Sequence, residues 1–274
     1  MSLSALRDRA IDEGLPLGTV ASEALHILLL DALFAHPGSA IMAFQGGTCL
    51  HLVHGSYRYS EDLDLAGREL DATAARRILE RARPEVEKLA VQVFGAGEHA
   101  WKTPGRPGRL SAYWYHFTPD ATRQRIRVKV EFASFPTYEP AVLPVRSELD
   151  LLRRRPLVGA LQAHELLAEK VAAVLGRRYL KGRDLFDLWY LDAVLQTPLD
   201  DELLRRKLVD YGVALSRERV EARIAAAGAA DLEAEMDRFL PQRHRAQLGG
   251  GGYDVVKRLA YGVLERAVRA AGLS

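Results

Sequence analysis

The stretch FQGGTCLHLVHGSYRYSEDLDLAG, residues 44–67, joins two neighbouring glycines to a segment in which acids and leucines alternate. Successive side chains of a β-strand point to opposite faces, so Asp62 and Asp64 are predicted on one face and the leucines on the other. The leucines suit a buried core. The two aspartates therefore share a face directed away from the core, whereas Glu61 lies at the start of the strand and is not expected to bind metal.

The glycines of this stretch, Gly46 and Gly47, precede a short helix that is predicted to start near Thr48. Glycine lets backbone N–H groups approach a phosphate closely, and a helix start adds partial positive charge. Two carboxylates on one strand face repel each other unless a cation lies between them, and carboxylate oxygens suit Mg²⁺ or Mn²⁺. The combination is the minimum equipment for phosphoryl or nucleotidyl transfer. The alternative is a helix-capping turn followed by a solvated edge strand, which either feature alone would favour.

A second alternating segment, RIRVKVEFASF at residues 125–135, is predicted to pair antiparallel with RLSAYWYHF at residues 109–117. Its apolar side chains fall on one face, and Arg127, Lys129 and Glu131 fall on the other. Glu131 is therefore a candidate third carboxylate for the same metal site, or a base for an attacking hydroxyl. The alternative is an exposed acid that pairs with Lys129 or Arg127.

Most of the remaining chain shows apolar side chains at three- and four-residue spacing, which predicts helices. The predicted helices cover residues 3–12, 19–35, 71–90, 162–176, 183–195, 200–211, 216–227, 230–239 and 252–271. Short strands are predicted at residues 40–44 and 91–95. Because strand signals stop near residue 147, the fold class is α+β, with an N-terminal α/β domain over residues 1–146 and a helical C-terminal domain over residues 147–274.

Composition excludes several classes of protein. The 38 basic and 36 acidic residues exclude a uniformly polycationic surface, although a local basic patch remains open. The single cysteine, Cys49, excludes a disulfide framework and a thiolate metal cluster. The longest apolar stretch, residues 24–34, is about half the ~20 residues of a membrane-spanning helix and contains Asp31. We therefore expect a soluble, cytoplasmic protein with no membrane segment.

The helical half carries charged residues of two kinds. Lys170 lies on one predicted helix, and Asp184 and Asp187 lie in the first turns of the next. The pattern alone indicates a surface lysine, a helix-capping acid and an ion-pair partner. Basic clusters could contact phosphates, although such runs are usually solvated helix faces. These clusters are residues 153–155, 177–183 and 205–207.

Four segments in order resemble the motifs of the AbiEii/AbiGii-like (MenT-like) toxin nucleotidyltransferases, a branch of the DNA polymerase beta-type superfamily. GGTCLHLVHGSYRYSEDLDL resembles the first motif, RVKVEF the second, HELLAEKVAAVLGR the third and GRDLFDLWYL the fourth. Three features depart from the superfamily pattern. Gly-Gly-Thr replaces Gly-Ser, Cys49 occupies a position where a small residue such as alanine is expected, and the third acid is Glu rather than Asp. The resemblance implies a polymerase-beta-type nucleotidyltransferase domain with a mixed sheet, followed by a helical domain.

The resemblance also implies roles for particular residues. Asp62 and Asp64 would hold Mg²⁺ or Mn²⁺, with Glu131 as the third ligand. The residues implied in nucleotide binding are Gly46, Gly47, Thr48, Arg58, Ser60 and Lys170. The residues implied in catalysis are Asp62, Asp64, Lys170 and Asp184.

The function that follows from the resemblance is a two-metal transfer of nucleotides from an NTP to RNA. The expected acceptor is the tRNA 3′ end, and the expected setting is a bacterial toxin–antitoxin or phage-defence system with a cognate antitoxin and a monomeric toxin. One alternative is a protein or small-molecule acceptor, which needs no extended basic surface. Another is a non-catalytic nucleotide- or RNA-binding relative, which has no need for clustered carboxylates.

Overall fold

A computed structural model describes residues 2–103, 108–225 and 228–270. It divides the chain into two compact units, Met1–Leu161 and Gln162–Ser274, which we call the N-terminal and C-terminal units. The division comes later than the predicted boundary after residue 146. The reason is a strand, Leu157–Leu161, which is hydrogen-bonded within the sheet of the N-terminal unit.

The N-terminal unit is a mixed sheet with helices. Its helices are α1 (Leu3–Glu13), α2 (Leu17–Phe34), α3 (Gly46–Leu52) and α4 (Ala72–Phe94), and its strands are β1 (Ala43–Gln45), β2 (Asp62–Ala66), β3 (Gly97–Lys102), β4 (Leu110–Pro119), β5 (Ile126–Ala133), β6 (Pro140–Pro144) and β7 (Leu157–Leu161). The strand order is β3-β4-β5-β2-β1-β7-β6. β2 is parallel to β5 and β1 is parallel to β7, whereas the other neighbours are antiparallel. The α+β class and the mixed sheet are confirmed.

The core of this unit lies between the sheet and helices α2 and α4. Leu63 and Leu65 of β2 are fully buried, as are Val128 and Val130 of β5, and α2 packs on β5 while α4 packs on β4. By length and composition α2 resembles a membrane-spanning helix, but most of it is buried inside the unit. It is the central helix of the core. The alternation predicted for β2 and β5 is confirmed, with their polar residues on the opposite face.

Several local predictions differ from the structure. Residues 91–95 were predicted as a strand, but they form the end of α4 because Val93 and Phe94 continue the buried stripe of that helix. Phe94 packs against Phe117 of β4, with 5.6 Å between ring centroids. Strands β3, β6 and β7 were not predicted. Packing of the helix stripe thus overrides the local strand propensity of two valines.

The C-terminal unit is helical where it is described, as predicted. Its helices are α5 (Ala163–Gly176), α6 (Gly182–Trp189), α7 (Asp201–Asp210), α8 (Arg217–Ala225), α9 (Ala229–Met236), α10 (Gln242–Leu248) and α11 (Gly252–Ala270). A π-helical turn, Tyr190–Val194, continues α6. Helix α10 was not predicted. Residues 226–227 and 271, the ends of two predicted helices, lie outside the described residues.

Candidate active site

The polar face of the sheet brings together charged side chains from two neighbouring strands. In the parallel register of β2 and β5, Asp62 lies beside Lys129 and Asp64 lies beside Glu131. Neighbours in register point to the same face of a sheet. On the other side, Gln45 of β1 lies opposite Asp64. The structure thus places the two predicted aspartates and Glu131 on one face.

Lys129 lies among these carboxylates. Its Nζ is 2.5 Å from Glu131 Oε1 and 3.9 Å from Asp62 Oδ2. Partial burial works against the charged lysine, but the hydrogen bond to Glu131 and the charges of Asp62, Glu131 and Asp64 raise the Lys129 pKa. Glu131, predicted as a third metal ligand, forms an ion pair with this lysine, which is the alternative that the sequence left open. Over the described parts of the chain, no three His, Cys, Asp or Glu side chains are arranged to hold a metal ion.

Gly46 and Gly47 lie directly against the side chains of Asp64 and Arg58. Gly46 has φ +78°, and a Cβ at this position would overlap the carboxylate of Asp64. A Cβ at Gly47 would overlap the guanidinium of Arg58. Both positions therefore require glycine for reasons of space, and the first also for its backbone conformation. The two glycines, the Asp64 carboxylate predicted to bind metal and the Arg58 guanidinium predicted to bind phosphate form one cluster.

Thr48 lies near the start of helix α3, as predicted, two residues after its first residue Gly46. The buried Thr48 hydroxyl donates a hydrogen bond to the carbonyl of Asp62. Its side chain therefore holds the start of β2. The Thr48 backbone N–H remains the group of this residue that suits a phosphate.

The segment just before β2 contains Ser60, which is predicted to bind nucleotide, and Glu61, which is not expected to bind metal. Ser60 is half-buried and precedes the strand. Glu61 also precedes the strand, and its side chain is exposed. Its backbone carbonyl is hydrogen-bonded to His26 Nε2 at 3.1 Å. The carbonyl accepts, so His26 is protonated at Nε2. Glu61 thus immediately precedes β2, next to its predicted place at the start of the strand.

The face continues outward from the carboxylates as a basic strip, which we define as Lys102 of β3, Trp114 and His116 of β4, and Arg127 of β5. Trp114 is in register with both Lys102 and Lys129, and His116 is in register with Arg127. Side chains directly opposite each other in antiparallel strands share a face. Burial and the charges of Arg125, Lys102 and Arg127 lower the His116 pKa. The strip thus presents cations and one indole beside the carboxylates.

The C-terminal unit has its own buried charge cluster, formed by α5, α6 and the residue after α5. Lys170 Nζ lies 2.6 Å from Asp187 Oδ2 and 3.2 Å from Asp184 Oδ1. Arg177 also forms an ion pair with Asp184. Lys170 is 7% exposed, so the pattern-based interpretation as a surface lysine is wrong. The interpretation of Asp187 as an ion-pair partner is confirmed by its contact with Lys170, whereas Arg177 was missed as a member of this cluster.

One residue of the basic cluster at 205–207 is buried. Lys207 is fully buried, and its Nζ lies 2.7 Å from Glu165 Oε1 and 2.6 Å from Glu169 Oε1. Its neighbours Arg205 and Arg206 pair with Glu202 at the surface. Lys207 therefore forms buried ion pairs, whereas Arg205 and Arg206 lie on a solvated helix face.

Comparison with known proteins identifies the family. The family described as "Nucleotidyl transferase AbiEii toxin, Type IV TA system" matches residues 28–256. The chain belongs to this family. It is therefore a nucleotidyltransferase toxin of a toxin–antitoxin system, which implies a nucleotide substrate and a cognate antitoxin. A comparison with curated protein sequences gives no significant match.

Solved structures show the same fold as this AbiEii-family chain. MenT4, a nucleotidyltransferase toxin from Mycobacterium tuberculosis H37Rv, superposes with a TM-score of 0.67 at 18% identity, over 100% of this chain and 94% of MenT4. JHP933 from Helicobacter pylori superposes with a TM-score of 0.55 at 17% identity, over 94% of this chain and 98% of JHP933. At these identities the similarity concerns the fold.

Proposed function

We propose that this AbiEii-family protein transfers nucleotides from an NTP to RNA in the cytoplasm, with the tRNA 3′ end as acceptor, and so blocks translation. The observation that carries the proposal is the position of Asp62 and Asp64 on one sheet face, with Gly46 packed against the second carboxylate. A phosphate-binding turn and a pair of carboxylates are thereby in contact, as transfer of a nucleotide requires.

The donor set suits a hard divalent cation. Asp62 and Asp64 offer partly exposed carboxylate oxygens, which are the ligands that Mg²⁺ and Mn²⁺ prefer. Such an ion would neutralise charge on the triphosphate during transfer. The protein's part is to hold both carboxylates in place, through the Thr48 hydrogen bond to the Asp62 carbonyl and the close contact of Gly46 with Asp64.

The transfer itself balances without a further reactant. The acceptor hydroxyl oxygen bonds to the α-phosphorus, the bond from that phosphorus to the bridging oxygen breaks, and pyrophosphate leaves while the hydroxyl proton passes to water. The buried guanidinium of Arg58 lies against Gly47 and supplies positive charge beside the glycines. Lys170, which the family resemblance assigns to the nucleotide phosphates, lies in the C-terminal unit between Asp184 and Asp187.

The basic strip supports an RNA acceptor. Lys102 and Arg127 are exposed cations suited to phosphates, and the half-buried Trp114 between the strands suits a stacked, unpaired base. A single-stranded RNA end offers both groups at once. A small-molecule acceptor would leave this surface unused.

The test is transfer of label from each α-³²P-labelled NTP to purified tRNA, with Mg²⁺ or with EDTA. We expect RNase-sensitive label in the presence of Mg²⁺. Asp62→Asn and Asp64→Asn should each lower the rate at least about 100-fold, because a cation site contributes several kcal/mol and 1.36 kcal/mol is tenfold. Glu61→Gln is the matched control, since Glu61 is adjacent but lies outside the strand.

The acceptor is decided by what carries the label after incubation with a cell lysate. Label that resists RNase and is removed by protease would overturn the RNA acceptor while leaving nucleotidyl transfer intact. NTP binding that needs no divalent cation, with no transfer from any NTP, would overturn the enzymatic proposal itself.

A further inference from the structure

We propose that Lys129 is a built-in counter-ion that takes the place of one metal ion, so that the site binds a single divalent cation through Asp62 and Asp64. This inference rests on the proposed metal-dependent function. It differs from the two-metal mechanism that the family resemblance implies, and it assigns to Glu131 the role of holding Lys129.

The geometry places the ammonium group where a second cation would be needed. Lys129 Nζ is in hydrogen-bond contact with Glu131 at 2.5 Å and lies 3.9 Å from Asp62. A metal ion shared by Glu131 and Asp62 would have to occupy the same region between these two carboxylates. The ammonium and that ion exclude each other, both by volume and by like charge.

The backbone fixes this arrangement. Lys129 and Glu131 are two residues apart on β5, so their side chains emerge on the same face. Lys129 is in register with Asp62 of β2 on one side and with Trp114 of β4 on the other. The backbone of Lys129 therefore lies next to that of Asp62, and the lysine side chain is 29% exposed.

Charge balance agrees with one divalent ion. The three carboxylates Asp62, Asp64 and Glu131 carry three negative charges, and Lys129 cancels one of them. Two negative charges remain, and one of them, on Asp64, packs against Gly46. A single divalent cation neutralises them beside the turn where the triphosphate is proposed to bind.

The experiment counts Mn²⁺ ions bound to the purified full-length chain, by EPR of the free ion during titration. We expect one tightly bound Mn²⁺ in the parent protein and in Lys129→Arg, which keeps the charge. Lys129→Met should bind two, and Lys129→Met combined with Glu131→Gln should return to one. Arg127→Met is the matched control, since it removes a cation from the same face and strand without changing the count.

The outcomes separate the inference from the function on which it rests. Two equally tight Mn²⁺ ions in the parent protein would overturn the inference and leave metal-dependent transfer intact, and this result needs no variant. A Lys129→Met protein that has the same unfolding temperature as the parent protein and still binds one ion would also overturn the inference. Nucleotide transfer by a parent protein that binds no Mn²⁺ and resists EDTA would instead overturn the metal dependence of the proposed function.

Discussion

Gly46 packs against Asp64 so closely that a single added carbon atom would displace the Asp64 carboxylate. The residue also has φ +78°, which L-amino acids with a side chain rarely adopt. We expect Gly46→Ala to lower the free energy of unfolding by about 1–3 kcal/mol through backbone strain. Nucleotide transfer should fall further, by about 100-fold, because small displacements of a catalytic group have effects of that size.

Gly95 is the control for this substitution. It also has positive φ, +84°, but no atom lies within 4 Å of where its Cβ would be. Gly95→Ala should carry a similar strain, measured by urea unfolding, and leave the transfer rate unchanged. Equal losses of rate in the two variants would mean that strain, and not the displacement of Asp64, explains the effect.

Substitutions of Thr48 test whether its hydroxyl stabilises the fold or binds phosphate. We expect Thr48→Val, which removes only the hydroxyl, to lower the free energy of unfolding by about 1–3 kcal/mol, because the Asp62 carbonyl loses its donor. Thr48→Ser keeps the donor and should lose less. Urea unfolding measures both. A Thr48→Val protein with parent stability and a raised KM for NTP would show that the hydroxyl contacts phosphate instead.

The parts of the site that were predictable from sequence are those governed by strand alternation. The period of two in β2 and β5 places Asp62, Asp64 and Glu131 on polar faces without any knowledge of the tertiary fold. The turn glycines are marked by their position between a strand and a helix. Family motifs add Lys170 and Asp184, which the pattern alone would have left as ordinary surface charges.

The parts that were missed depend on contacts between distant segments. β3 and β7 are short and were not recognised, and the domain boundary was placed too early because β7 follows the last predicted strand by more than twenty residues. The pairing of Lys129 with Glu131 was an open alternative in the sequence, because alternation places both side chains on one face without deciding between an ion pair and a metal ligand. Burial of Lys207 likewise depends on how α7 packs on α5, and the run of basic residues in the sequence does not indicate this packing.

Lys207 should be among the most important charged residues for stability. Lys207→Met leaves Glu165, which is fully buried, without the ammonium 2.7 Å away, and breaking a buried pair costs about 3–5 kcal/mol. Arg206→Met, one residue away, breaks an exposed pair with Glu202 and should cost under about 1 kcal/mol. Urea unfolding of both variants checks this, and equal losses would contradict the buried pair.

Stability should fall in mild acid because of His26. Burial lowers the His26 pKa from 6.5 to about 4, against the hydrogen bond to the Glu61 carbonyl and the charge of Glu23, which raise it. Between these values the unfolded chain binds a proton that the folded chain excludes, so stability decreases as pH falls from about 6.5 towards 4. The loss is at most about 1.4 kcal/mol per pH unit.

The measurement is the free energy of unfolding against pH for the parent protein and for His26→Gln. Glutamine can still donate a hydrogen bond to the Glu61 carbonyl but does not titrate, so its profile should be flatter over this window. The pKa of His51 is raised despite burial through its contact with Glu23, so His51 contributes in the opposite direction, and it is present in both proteins. Parallel profiles would show that His26 is not the source.

Lys170 is tied both to stability and to the proposed nucleotide contact, and a double substitution separates the two. Lys170→Met leaves Asp187 buried without its partner at 2.6 Å, so we expect a loss of about 3–5 kcal/mol and a raised KM for NTP. Adding Asp187→Asn removes the uncompensated charge and should restore much of the stability, while Asp184 keeps its ion pair with Arg177. The transfer rate should stay low, because the cation for the phosphates is still missing. Recovery of both stability and transfer in the double variant would show that Lys170 acts only through folding.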